Sequence, residues 1–220
     1  MDCCRLLSNR RDFLWSSATL ATGVAALPLA VEALPRPAEE TDIWVLGPRK
    51  GYSPQIGTLV SMMTFMRWQV LNSVKGMSTK DLDFLMDEKA NRIGALLLHL
   101  AAVESFYQVN TFEGLSDAKI PEAWKEKWGP PMGLGEPARK SIQANNLDYY
   151  LNILSETREK TLTEFRKRDD AWLMSVDHAW KWGPTNNYCK WFHVTEHEAN
   201  HNGQIKLLKS RLSGAKSAGE

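Results

Sequence analysis

Trp191-Phe-His-Val-Thr-Glu-His-Glu-Ala-Asn-His-Asn-Gly-Gln-Ile205 places three of the chain's five histidines, His193, His197 and His201, four residues apart. The spacing predicts one helix. On a helix, side chains at i and i+4 stack on one face about 6 Å apart, near enough for two imidazoles to take adjacent positions on one metal ion. His193 and His201 stand about 12 Å apart at a rise of ~1.5 Å per residue, so one ion cannot take all three. At about 100° per residue, Val194, His201, Ile205, Leu208 and Leu212 share a narrow arc, with His197 roughly 40° and His193 roughly 80° from His201. His197 and His201 are therefore expected to face the interior, with His193 at the rim.

An interior histidine pair needs further ligands, because catalytic zinc-type sites take three protein ligands and keep one position open. His99 has the right setting. It is the sole ionisable residue in Ile93-Gly-Ala-Leu-Leu-Leu-His-Leu-Ala-Ala-Val103, a run apolar nearly all round and so expected as a buried helix. A histidine there must find a metal or a hydrogen-bond partner. The plainer alternative is a core histidine bonded to a backbone carbonyl. Glu104, five residues on, points about 140° from His99, which suits structural pairing, orienting a ligand or acting as a base better than ligation, with pairing the favoured role. Gln204 is a candidate to support a ligand or to hydrogen-bond a substrate, and His193 or Glu104 would be the fourth donor of a closed site.

The ending His197-x-x-x-His201-x-Gly203-Gln204-Ile205, with His99 in an apolar helix followed by Val103-Glu104, resembles the DinB/YfiT-like superfamily. The resemblance runs from about Pro54 to about Leu212 and includes Gly76-Met-Ser-Thr-Lys-Asp-Leu82 and Asp148-Tyr-Tyr-Leu-x-x-Leu154-x-x-x-Arg158. It implies an all-α four-helix bundle holding one divalent metal ion, zinc or nickel, on His99, His197 and His201. It implies a metal-dependent hydrolase, or a transferase using a low-molecular-weight thiol. Bundles of this kind also pair through helix faces as homodimers. Asn202 stands where relatives commonly carry Arg before the Gly-Gln pair, which removes a cation near the site. A non-catalytic metal-binding bundle, or packed histidines without metal, are the competing readings.

Working outward, Ser53-Pro54 reads as a helix start with Ser as cap. Ile56, Leu59, Val60, Met63, Met66, Val70 and Val74 follow at helical spacing, and Gly76 is placed to end the run. A second helix is expected over 91–112, a third over 146–168, and a fourth capped by Thr185 or Asn186 and ended by Gly214. Gly114 to Pro137 forms an insertion between helices two and three, with Pro121 to Trp128 as a short helix. Ala171 to Asn187, with Trp172, His178, Trp180 and Trp182, reads as a loop or short hairpin anchored by its tryptophans. Gly203 within the fourth helix suggests a close helix approach. Cys189 is expected to pack between helices.

Arg10-Arg11-x-Phe13-Leu14 resembles a twin-arginine export motif, followed by an apolar run to Val31 that is too polar for a confident membrane span, and by small residues ending at Ala33. The expected organisation is a signal over 1–33, a linker over 34–52 with a docking segment Ile43-Trp-Val-Leu46, a bundle over 53–214 and a tail over 215–220. The destination is periplasmic or extracellular, with membrane contact only during export. Cys3 and Cys4 precede the apolar run and would leave with the signal, so Cys189 would have no internal disulfide partner. A formal charge of +1 gives no basic surplus, which argues against nucleic acid as a partner.

Overall fold

Helical spacing over four long stretches becomes four long helices, which carry the core. The computed structural model describes residues 42–214, and the twin-arginine motif, Cys3 and Cys4 lie outside them. The long helices are α1 (Pro54–Val74), α3 (Ile93–Tyr107), α6 (Leu147–Phe165) and α8 (Asn187–Lys209). Between them lie α2 (Thr79–Leu82), α4 (Glu122–Gly133), α5 (Gly135–Ser141), α7 (Asp170–Met174) and a hairpin of β1 (Val176–Asp177) and β2 (Thr185–Asn186). The expected all-α bundle with an insertion between the second and third long helices is what the chain forms. Among the described residues no helix is long and apolar enough to cross a membrane.

α1 packs on α8, α3 on both α6 and α8, and α1 on α6. α3 and α8 run antiparallel, because His99 meets His201 while Tyr107 meets Trp191. Every residue of α3 is buried. Its close approach to α6 depends on Gly94, where a Cβ would strike the Tyr150 ring. α3 continues as a π turn (Gln108–Phe112), so the helical path reaches Phe112 as its sequence suggests.

The helix ends show how local signals are reassigned by tertiary neighbours. Ser53 does not cap α1. Its hydroxyl donates to Asp170 at 2.5 Å, and that carboxylate accepts the backbone N–H groups of Gln55 and Ile56, so the cap comes from α7. Asn146 and Asn186 do cap α6 and α8 through their side chains. α8 ends at Lys209, and Gly214, at φ 78°, lies beyond its end.

Three further expectations change. Met66 is only half-buried, and the buried stripe of α1 runs through Arg67 instead. Gly203 is exposed with open space around the position of a Cβ, because it faces away from the bundle, so no helix approaches there. Cys189 is exposed in the first turn of α8 rather than packed. The Ile43–Leu46 segment lies against α1: Trp44 meets Phe65 and Trp68 edge-on, and the Gly47 N–H donates to Ser61. The tryptophans of the hairpin region act as anchors, Trp172 against Phe112 and Phe165, Trp180 against Phe106 and Tyr107.

Candidate metal centre

α3 delivers His99 and α8 delivers His197 and His201 to one place. One ligand nitrogen from each lies within 4.8 Å of the other two, and the ring centroids are 4.4 to 4.9 Å apart. His99 and His201 are buried and His197 is half-buried. Among the described residues no fourth His, Cys, Asp or Glu joins the group.

The supporting hydrogen bonds decide which nitrogens face the centre. His99 Nδ1 lies 2.9 Å from the carbonyl oxygen of Pro131. A carbonyl only accepts, so Nδ1 carries the hydrogen and Nε2 carries a lone pair. That carbonyl is free for His99 because α4 ends two residues later, and the Gly135 N–H, four residues on, donates to Asn91 instead. On α8, His201 Nδ1 donates to Gln204 Oε1 at 3.0 Å, which leaves its Nε2 as an acceptor. His99 Nε2 then faces His197 Nε2 at 2.9 Å. Two lone pairs cannot sit so close unless a proton or a cation lies between them.

The electrostatics favour neutral rings. Burial drives the His99 imidazole down to about 4, against a partial lift from the Pro131 carbonyl. Burial and then the neighbouring His201 and His99 bring His197 to about 3. Burial also lowers His201, offset in part by Gln204. Three imidazoles held neutral, at least two with the same nitrogen turned inward, form a donor set suited to a divalent ion.

His193 stands at the rim. Its Nδ1 donates to Glu196 at 2.7 Å, and its ring meets those of Tyr107, Trp182 and His197. Glu104 lies elsewhere: its carboxylate accepts from Arg67, Arg158 and Thr161, and none of these bonds reaches a histidine. Asn202 accepts from Ser73 and ties α8 to α1, so this position faces a helix rather than the histidines. His178 is exposed.

Two buried residues of this region escaped the reading by composition. Arg67 is 7% and Glu198 1% exposed, and both join Glu104 and Arg158. Their signal was positional: Met63, Arg67, Val70 and Val74 keep the core spacing of α1, as Val194, Glu198, His201 and Ile205 do in α8. A charged residue at a core position is easily passed over when only apolar side chains are followed.

No curated protein matches the chain. Among solved structures it is similar to a conserved protein from Enterococcus faecalis, with a TM-score of 0.55 and 14% identity over 71% of this chain and 95% of that one. That likeness concerns the fold. The family model described as mycothiol-S-transferase matches residues 58–214, a span that holds all three clustered histidines, and the chain belongs to that family.

Proposed function

We propose that this protein is a metal-dependent thiol S-transferase in which His99, His197 and His201 hold one divalent ion, zinc or nickel, and a low-molecular-weight thiol of the mycothiol type is the cosubstrate. The observation that carries this reading is a three-histidine group that no fourth His, Cys, Asp or Glu joins among the described residues, in a chain of the mycothiol-S-transferase family. A structural site is closed by four protein ligands, whereas a catalytic one keeps a position for substrate. His193 and Glu104, the two candidates for closing it, are engaged with Glu196 and with the arginines.

A divalent ion held there would act as a Lewis acid that lowers the pKa of a thiol or water reaching it. The chain's own residues prepare the place. The Pro131 carbonyl and Gln204 hold the Nδ1 protons of His99 and His201, keeping both Nε2 atoms turned inward. At the rim, the Nδ1–H of His193 is taken by Glu196, which leaves Nε2 to accept a hydrogen bond from an arriving substrate. The same donor set would serve a hydrolase, and the family match favours thiol transfer.

The test is elemental analysis of tag-free protein beside His99→Ala and His201→Ala, with thiol-conjugation assays on metal-restored samples. About one ion per chain is expected, absent from both variants together with thiol conjugation. Undiminished activity in His201→Ala would sink the proposal.

We also infer export by the twin-arginine route from Arg10-Arg11-x-Phe13-Leu14. Replacing both arginines with lysine should retain the full-length chain inside the cell. Unchanged export of that variant would end this reading.

A further inference from the structure

The core of the bundle is interrupted by a layer of four charges, one from each long helix: Arg67 of α1, Glu104 of α3, Arg158 of α6 and Glu198 of α8. All four are buried, at 7%, 0%, 7% and 1% exposure. On one side lies an apolar cluster containing Val70, Ile93, Leu154 and Ile205, and on the other a cluster containing Met63, Phe106, Phe165 and Trp191.

The connectivity has a pattern. The helices that carry histidines, α3 and α8, supply the two carboxylates, and the helices without them, α1 and α6, supply the two arginines. Each arginine grips both carboxylates. Arg67 Nη2 donates to Glu104 Oε2 at 2.9 Å and to Glu198 Oε1 at 2.6 Å. Arg158 Nη2 donates to the same two oxygens at 3.2 and 2.8 Å, while its Nε donates to Glu104 Oε1 at 2.7 Å. Arg67 Nε also donates to Glu198 Oε1 at 3.1 Å, and the two Nη1 groups go to the backbone carbonyls of Leu154 and Met63 across the bundle. Thr161 holds Glu104 from α6, and Gln108 in turn donates to Thr161.

We propose that this four-charge layer is the register key of the metal centre, and that Arg67, Glu104, Arg158 and Glu198 are positioning residues for His99, His197 and His201. The inference rests on the metal reading above. α3 is buried on every side, so apolar burial alone specifies its rotation weakly. Rotating it by one residue, about 100°, would turn His99 away from α8 with little change in apolar burial; Gly94 against the Tyr150 ring opposes that rotation at the start of the helix, and the charge layer opposes it at Glu104. Glu104 is the only carboxylate in α3, and two directional guanidiniums plus a hydroxyl define its height and angle. Glu198, between His197 and His201 in the chain, is held in α8 by the same two guanidiniums through Oε1. A buried polar set of this kind is a poor source of net stability, and fixing register is its best-attested use.

The test uses cobalt(II) as probe, on full-length protein, reading binding affinity and the visible absorption of the bound ion. Arg67→Lys keeps the charge but loses the planar fork, and α1 contributes no histidine; Glu104 and Glu198 are the side chains through which Arg67 holds the two histidine helices. Thr161→Val removes the hydroxyl that holds Glu104 and leaves Gln108 its bond to the Thr157 carbonyl, and it serves if Arg67→Lys fails to fold. Leu59→Ala, a core truncation in α1 away from the layer, is the control for general destabilisation. The expected result is a loss of cobalt affinity of about tenfold with a shifted spectrum in the layer variants, and an unshifted spectrum in Leu59→Ala. Layer variants that superimpose on the wild type, or a Leu59→Ala shift of equal size, would overturn the register role while leaving the metal centre standing. A wild type that binds no cobalt would remove the metal reading, and this inference with it.

Discussion

Pro131 brings no side-chain chemistry to the histidines, yet its carbonyl oxygen determines which nitrogen His99 turns toward them. Gln204 has the parallel task for His201. Removing that partner with Gln204→Leu should weaken zinc binding about tenfold without loss of fold, measured by competition with a chromophoric chelator. An unaltered affinity would mean that the ring is held by other contacts. Gly203, one residue earlier, makes the opposite case. It is helical, exposed and has room for a methyl group, so Gly203→Ala should raise stability by about 0.5–1 kcal/mol in urea unfolding. At this scale the three clustered histidines were legible because their spacing and setting are unusual. Arg67 and Glu198 were not, since a charge at a core position declares itself only when its partners on other helices are known.

Among the elements, α1 is the one whose beginning depends on another. Asp170 of α7 accepts the Ser53 hydroxyl and two backbone N–H groups at the α1 start. Asp170→Ala should cost about 1–2 kcal/mol in chemical unfolding, with early amide exchange at residues 55–57. A loss no larger than Ser53→Ala alone would show that the cap is local after all. The contact between α3 and α6 gives a second check. A methyl group at Gly94 would drive into the Tyr150 ring, so Gly94→Ala should destabilise by about 1–3 kcal/mol, opposite in sign to Gly203→Ala. Helix extents followed from periodicity and caps. The identity of each cap's donor did not, because Ser53 looks like a cap in sequence and only the fold brings Asp170 to it.

For the whole molecule, acid is the condition that tests the buried groups together. His99 is neutral in the fold down to about pH 4, whereas the unfolded chain protonates it from 6.5. Between those values the unfolded state binds the extra proton, so the metal-stripped protein should lose about 1.4 kcal/mol per pH unit from this group as pH falls, with no further loss from it below about 4. Burial alone would raise the Glu104 carboxyl, but Arg158 and Arg67, with bonds from Arg158 and Thr161, hold it below its usual 4.5. Its contribution is present above 4.5 and is lost as pH falls toward its folded value, adding a second stage to acid unfolding. Urea unfolding of EDTA-treated protein from pH 7 to 3.5 should show stability falling first between 6.5 and 4. Flat stability over that range would mean that the clustered histidines, His197 and His201 as well as His99, are already protonated in the fold.

Sequence alone determined the quantities that are periodic or compositional: four long helices, an interruption between the second and third, and histidines on two of them with His193 turned aside. These follow from residues three and four apart, which share a helix face in any context. The tertiary structure decided what depends on distance between helices. It brought His99 to His197, chose Pro131 and Gln204 as the partners that orient the rings, drew Asp170 to the start of α1, and closed two arginines on two carboxylates in the core. None of these pairs is near in the chain except His201 with Gln204, and a long-range polar contact leaves no period in the sequence from which to read it.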